Sequence, residues 1–179
     1  VVKILLSQPQ LHDGVGRLAR QISEHYGQRP LTIVGVLTGS LVVLADLIRQ
    51  LDMPLRVALV QARSYRGGAT SPGGLAINPD FAPDLKGRHV LVLDDIFDTG
   101  HTLSKLVGQI ERLEPLSLRT AVLLRKAGRQ EVDFRPDFIA FDIPDEFVVG
   151  YGLDYRDLYR NLPYLAALEP HEISAESPT

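Results

Sequence analysis

The segment VLVLDDIFDTGHTL (residues 90–103) crowds three carboxylates, Asp94, Asp95 and Asp98, into five positions and follows them with Thr99, Gly100, His101 and Thr102. Four apolar residues precede the acids, as at the end of a buried strand. The residues after them suit a chain entering a helix. The first N–H groups of a helix lack intrahelical partners and the helix dipole adds positive potential there, so such a turn binds phosphate. Gly100 permits close approach to the backbone, and Thr99 and Thr102 add hydroxyl donors. Carboxylates cannot serve the same phosphate, but they accept hydrogen bonds from hydroxyls or hold a divalent cation. A sugar phosphate meets both needs, with its phosphate on the amides and its hydroxyls on the acids.

Such a turn needs a strand before it and a helix after it, and the flanking sequence supplies both. HVLVLDD (89–95) reads as a strand and TLSKLVGQIERL (102–113) as a helix. Three more apolar runs, LTIVGV (31–36), LRVALVQA (55–62) and SLRTAVLL (117–124), read as buried strands, as does DFIAFDI (137–143). Near the start, Ser7 and Gln10 form a possible capping box, and Leu11, Val15, Leu18 and Ile22 recur at helical spacing. SLVVLADLIRQL (40–51) predicts a helix capped by Ser40. Apolar strands alternating with helices imply an α/β fold whose parallel sheet is covered on both faces. Ligands in such sheets sit beyond the carboxyl ends of the strands, where strand order reverses. RSYRGGATSPGGLAINPD (63–80) has four glycines and two prolines and no sustained periodicity. Its length exceeds the roughly 12–15 residues usual for a loop, and it reads as a flexible lid or else a surface insertion.

Composition narrows the function further. The chain has 179 residues, of which 45% are hydrophobic and 23% charged, values ordinary for one globular domain. A net charge of −3 offers no basic field for nucleic acid or an anionic membrane. The absence of cysteine excludes disulfides, zinc–thiolate sites and cysteine nucleophiles. No apolar run reaches the ~20 residues of a membrane helix and no signal-peptide pattern is evident, so a cytoplasmic protein is expected. There is no G-x-x-x-x-G-K-[ST], no complete dinucleotide fingerprint in GVGRLA or GYGLDY, no G-x-S-x-G, and no paired metal-ligand spacing among the five histidines.

With its two acids, two apolar residues and Asp-Thr-Gly, the 90–103 segment resembles the signature of the type I phosphoribosyltransferases. PDEFVVGYGLDYRDLYRNLPYLAAL (144–168) resembles the purine-binding end of the hypoxanthine-guanine phosphoribosyltransferases, and GVLTGS, SYRGGATS and LLRK extend the resemblance in family order. The resemblance implies one domain over residues 1–179 with the type I phosphoribosyltransferase fold. It would have a central, mostly parallel sheet flanked by helices, a small hood lobe from about residues 1–10 and 143–168, a lid at 63–80 and a frayed tail at 169–179. It implies purine salvage: transfer of a phosphoribosyl group from phosphoribosyl pyrophosphate to N9 of hypoxanthine or guanine, giving IMP or GMP and pyrophosphate. The implied cofactor is Mg²⁺ and the implied assembly a homo-dimer or homo-tetramer.

Residue by residue, Asp94 and Asp95 resemble the pair that holds the ribose hydroxyls, directly or through hydrated Mg²⁺. Asp98 resembles the general base or acid at purine N7, and Asp98, Thr99, Gly100, His101 and Thr102 the 5′-phosphate cradle. Thr38, Gly39 and Ser40, with Arg160, resemble the pyrophosphate contacts. In that loop the family can place a non-proline cis peptide, here Leu37–Thr38, when pyrophosphate or its donor is bound. Ser64 and Tyr65 resemble the lid pair. Lys126 resembles the donor to the purine 6-oxo group, Phe147 the stacking ring, Val148 the backbone that reads the base edge, and Asp154 a base-side residue and ligand of a second Mg²⁺.

Three positions depart from the family. Asp94 stands where Glu is frequent, which would make a ribose contact water-mediated. Thr38 replaces a common Lys, which leaves the pyrophosphate more dependent on the Gly39 and Ser40 amides. Arg66 replaces a usual Gly, which would stiffen the lid. Taken without the resemblance, Lys126 beside Arg125 and Arg129 also suits a solvated basic face, Phe147 a core position, and Asp154 with Arg160 a minor ion pair. Two alternatives to the enzyme are a non-catalytic regulator that senses phosphoribosyl pyrophosphate or a nucleotide, and a xanthine-preferring relative. No appended winged helix or basic face supports the regulator.

Overall fold

A computed structural model describes residues 3–61 and 83–174. The expected lid at 63–80, with Ser64, Tyr65 and Arg66, lies outside the described residues.

Helix α1 (Gln8–Tyr26) begins with the capping box foreseen from Ser7 and Gln10. Its Leu11, Val15, Leu18 and Ile22 are fully buried. Strand β2 (Leu31–Leu37) leads into helix α2 (Leu41–Ile48), and strand β3 (Leu55–Gln61) follows. Strand β4 (His89–Phe97) leads into helix α3 (His101–Glu111), then strands β5 (Ser117–Lys126) and β6 (Phe138–Ile143). These five strands form a wholly parallel sheet in the order β3-β2-β4-β5-β6.

Alternation along the strands assigns each face. Leu31 and Ile33 of β2, Leu91 and Leu93 of β4, and Ala121 and Leu123 of β5 join the core under α1 and α2. Val34, Val36, Val90, Val92 and Val122 join the opposite core with Leu103, Leu106 and Ile110 of α3. Burial on both faces explains why β2, β4 and β5 read as continuous apolar runs rather than as polar–apolar alternation. Edge strand β3, expected to be buried, instead leaves Val57 and Leu59 exposed, because it has a neighbour on one side alone.

The chain order puts the reversal of strand order between β2 and β4. From β2 the chain moves outward to β3, then returns past β2 to β4. The loops leaving the carboxyl ends of β2 and β4 therefore diverge and leave a crevice between them.

A second sheet lies apart from this frame. Strand β1 (Lys3–Leu6), strand β7 (Val148–Val149) and strand β8 (Leu165–Ala167) pair antiparallel in the order β1-β8-β7. Within the tail expected to fray at 169–179, helix α4 spans Pro170–Ser174, with Glu172 accepting the Glu169 N–H at 2.8 Å and Tyr155 donating its hydroxyl to the Ile173 carbonyl. Residues 175–179 lie outside the described residues. Among the described residues no helix is long and apolar enough to cross a membrane.

Candidate active site

Strand β4 extends to Phe97, beyond the expected end at Asp95, because it keeps pairing with β5: Asp94 with Val122, Ile96 with Leu124 and Phe97 with Arg125. Asp94 and Asp95 thus belong to the strand itself. Asp94 is 7% exposed, and its Oδ1 accepts the Asp95 N–H at 2.9 Å. Asp95 Oδ1 accepts the Ile96 N–H at 2.7 Å. Burial pushes the Asp94 carboxyl well above the usual carboxylate range, and the adjacent Asp95 charge adds to the shift. Burial raises Asp95 as well, against its hydrogen bonds and the more distant Arg160 charge. Two acids at one strand end, both resisting ionisation, form a site that favours a cation or hydroxyl donors.

Gly100 caps α3 with φ +90°, a conformation that side chains resist. A Cβ there would also lie 2.6 Å from Val132 Cγ2 and 2.7 Å from Phe97 Cζ. The first bond of the helix runs from Ser104 N–H to Gly100 O at 3.0 Å. The amides of His101, Thr102 and Leu103 have no carbonyl one turn back, so they line an anion-binding turn. The His101 ring leans away onto Glu131, with 2.9 Å between Nε2 and Oε2, and offers the turn its amide rather than its imidazole. Val36, Gly39, Asp94, Asp95, Asp98 and Thr102 are among the residues lining a cleft of about 270 Å³ over this turn.

The loop after β2 closes the other side. Its Leu37–Thr38 peptide is cis. Gly39 is held so close to Asp95 that a Cβ would sit 1.6 Å from Oδ2, so only glycine fits while both loops keep these positions. Ser40 differs from expectation twice. It occupies the helix N-cap with helical φ and ψ, and its hydroxyl makes no cap bond; Oγ is buried without a partner among the described residues. Its amide donates to Val36 O at 3.3 Å. The Ser40 amide is therefore engaged within the loop.

The segment after β7 reaches the same loop from the second sheet. A Cβ on Gly152 would lie 2.4 Å from Gly39 O. Arg160 donates from Nη1 to Gly152 O at 2.8 Å and pairs through Nη2 with Asp154 Oδ1 at 2.8 Å. Asp154 Oδ2 accepts the Asp157 N–H at 2.9 Å. Asp154 and Arg160 are thus an ion pair, as the plain reading of the sequence allowed, but one bonded to Gly152, which packs against Gly39 of the loop over Asp95.

Asp98 opens the second half of the site. Arg129 Nε donates to its Oδ1 at 3.0 Å, and Lys126 Nζ stands 3.5 Å from its Oδ2. Asp145 lies 3.6 Å from Lys126 and 3.7 Å from Arg129. The Lys126 side chain is 12% exposed, so it is no solvated surface lysine. Two residues beyond Asp145, Phe147 is 40% exposed; its ring meets Tyr155 edge-on at 5.4 Å, and its carbonyl accepts the Leu168 N–H at 2.8 Å. Its neighbour Val148 is buried in β7, opposite Ala167. Phe147 is therefore not a core residue, although its apolar neighbours suggest one. Asp145 and the Asp98 contact of Arg129 were not anticipated. The only local hint was a basic residue three positions after Lys126.

The structure therefore gathers Asp94, Asp95 and Asp98, the cradle from Thr99 to Thr102, the Thr38–Ser40 loop and the Asp154–Arg160 pair around one crevice. Lys126 joins it through Asp98, and the segment carrying Phe147 through Asp145. Residues 1–156 match the family model described as the phosphoribosyl transferase domain. The chain is 40% identical over 167 residues to the hypoxanthine phosphoribosyltransferase of Haemophilus influenzae, covering 92% of this chain and 93% of that one. It is 38% identical over 169 residues to the hypoxanthine-guanine phosphoribosyltransferase of Streptococcus pneumoniae, covering 94% of each. A crystal structure of a hypoxanthine-guanine phosphoribosyltransferase from Bacillus anthracis superimposes with a TM-score of 0.87 at 35% identity, over 94% of this chain and 100% of that one.

Proposed function

The chain belongs to the phosphoribosyl transferase domain family, and from that premise we propose that it transfers the 5-phosphoribosyl group of phosphoribosyl pyrophosphate to N9 of hypoxanthine or guanine. The products are IMP or GMP and pyrophosphate. One observation carries the assignment to a 6-oxopurine: the largely buried Lys126 ammonium stands beyond good hydrogen-bond distance from both Asp98 and Asp145. It has donors to spare for an oxygen placed between them.

In this reading the amides of His101 to Leu103 and the Thr99 and Thr102 hydroxyls hold the 5′-phosphate. Asp94 and Asp95 receive the ribose hydroxyls. Thr38, Gly39 and Arg160 face the pyrophosphate. Phe147 stacks on the base and the Val148 backbone reads its edge. N9 forms its bond to C1′ as the C1′–oxygen bond to pyrophosphate breaks, and pyrophosphate leaves with that electron pair. The N7 proton passes to the Asp98 carboxylate. Positive charge that builds on the ribose is favoured by Asp94 and Asp95.

The donor set fits Mg²⁺. Among the described residues no three His, Asp or Glu side chains form a cage, and Mg²⁺ commonly takes one or two carboxylates and completes its shell with water and phosphate oxygens. Asp94 and Asp95, and separately Asp154, are the residues that would hold it, and when bound it neutralises the pyrophosphate as that group departs. A homo-oligomer in the cytoplasm completes the proposal. Relatives named as transferases, together with retention of Asp98, favour the enzyme over a regulator.

The test is a panel of hypoxanthine, guanine, xanthine and adenine with phosphoribosyl pyrophosphate and Mg²⁺, following nucleotide formation. Hypoxanthine and guanine should react and adenine should not. Reaction with no purine would overturn the proposal, and a preference for xanthine would move it to the relative named above.

A further inference from the structure

We propose that Arg129 is a positioning residue for Asp98: by occupying Oδ1 it fixes the carboxylate so that Oδ2 faces the base. This inference rests on the function proposed above. The two oxygens of a carboxylate are chemically equal, so a freely rotating Asp98 would present either one at varying angles. In the structure they are not equal. Oδ1 takes a hydrogen bond of ordinary length from Arg129 Nε, whereas Lys126 Nζ stands 3.5 Å from Oδ2. Oδ2 remains open to a better-placed donor, which purine N7–H would be.

The loop that carries Arg129 is anchored at both ends. Ala127 N–H donates to Ile143 O at 2.9 Å, at the end of β6. Gly128, with φ +73°, turns the chain back toward the cradle. Glu131 N–H then donates to Thr99 O at 2.9 Å, and the Glu131 carboxylate meets the His101 ring. Arg129 is thereby tied to the same turn that carries Asp98, so the two move together. Lys126 does not share this role, because its ammonium faces Oδ2, at 3.5 Å, rather than Oδ1. Arginine suits the task because its guanidinium is planar, stays charged and directs its N–H groups from a rigid fork. Asp145 stands near both cations at distances too long for a hydrogen bond, so it balances their charge without drawing either away.

The plain alternative is a surface ion pair. The Arg129 side chain is 43% exposed, and an exposed pair adds little to stability. The two readings part on turnover, because misplacement of a reacting group by about 1 Å can cost on the order of 100-fold.

The experiment compares the wild-type enzyme with Arg129→Ala, Arg129→Lys and Arg125→Ala, using phosphoribosyl pyrophosphate, hypoxanthine and Mg²⁺. Arg125 pairs with Asp142, so its removal costs the same charge away from Asp98. In Arg129→Ala, kcat should fall on the order of 10- to 100-fold, with KM for phosphoribosyl pyrophosphate and Tm unchanged. Ethylguanidinium added to the assay should restore part of the loss. Arg129→Lys should fall between wild type and alanine, and Arg125→Ala should keep wild-type turnover. Wild-type kcat in Arg129→Ala, a loss confined to KM, no recovery with ethylguanidinium, or an equal loss in Arg125→Ala would each overturn the inference. A wild-type chain inactive on every purine would sink the proposed function instead. An active wild type with an inactive Asp98→Asn and a fully active Arg129→Ala would sink only the role of Arg129.

Discussion

Two acidic groups within five residues at one strand end are handled in opposite ways. Asp94 and Asp95 are packed beside each other, buried, and raised in pKa; the Arg160 charge offsets part of the shift at Asp95, and Arg160 is already bound to Asp154. Asp98 lies further out, with a hydrogen bond from Arg129, Lys126 near its other oxygen, and Asp145 completing a cluster of two positive and two negative side chains. The first group depends on something from outside to carry its charge. The second is balanced from within, through one tight contact and several loose ones. In the proposed reaction, a pair that grips hydroxyls or a metal-bound pyrophosphate would gain from unmet charge, and a base that exchanges a proton would gain from a fixed direction and a replaceable neighbour.

The largest effect should come from the balanced group. Asp98→Asn keeps the shape and removes the proton acceptor, so turnover should fall about 10²- to 10⁴-fold, with equilibrium binding of phosphoribosyl pyrophosphate unchanged. Near wild-type turnover would erase the distinction between the two groups.

Next is Lys126→Met. Lysine donates and cannot accept, so it suits the 6-oxo group and opposes the amino group of adenine. Discrimination by such a group reaches about 10⁴–10⁵-fold in the best cases. The variant should raise KM for hypoxanthine and narrow the gap to adenine. An unchanged ratio of kcat/KM values for the two bases would transfer specificity to the Val148 backbone.

The unbalanced pair should show itself in stability. Its carboxyls have folded-state pKa values above the ordinary one, so over that window the folded chain holds protons the unfolded chain has released. Stability should therefore fall as pH rises from the ordinary carboxylate range through the raised values. Asp94→Asn removes one charge, and its amide oxygen can still accept the Asp95 N–H. Its Tm should exceed that of the wild type at neutral pH, by about 2–4 °C for each kcal/mol relieved, and the gain should shrink on acidification. Thermal denaturation across pH checks this. A gain that grows as pH falls would contradict the assignment.

The smallest effect concerns Ser40. A buried hydroxyl without a partner costs about 1–3 kcal/mol in desolvation, so Ser40→Ala should hold or slightly raise Tm. A marked drop in Tm would mean that the hydroxyl has a structural partner.

By itself the sequence determined what depends on neighbours along the chain. Ser7 and Gln10, three residues apart, form a capping box in any fold that keeps this helix. The β-branched and leucine runs were legible as strands, although the run of β3 lies exposed at the sheet edge, which its composition does not reveal. The turn from β4 into α3 was legible because a helix start needs a few consecutive residues and a glycine. The end of β4 was misjudged because carboxylates are poor strand formers, and only pairing with β5 carried the strand past Asp95. Strand order, and with it the reversal between β2 and β4, was not legible, since it is settled by which apolar faces pack together. Nor was the bond between Asp98 and Arg129, which are 31 residues apart. Gly39 resembles any loop glycine until Asp95 is seen to occupy the space its Cβ would need. Composition and spacing name the groups that can react. Which group meets which, and which charges are left unmet, is decided where distant segments compete for the same few cubic ångströms, and that competition exists only in the folded chain.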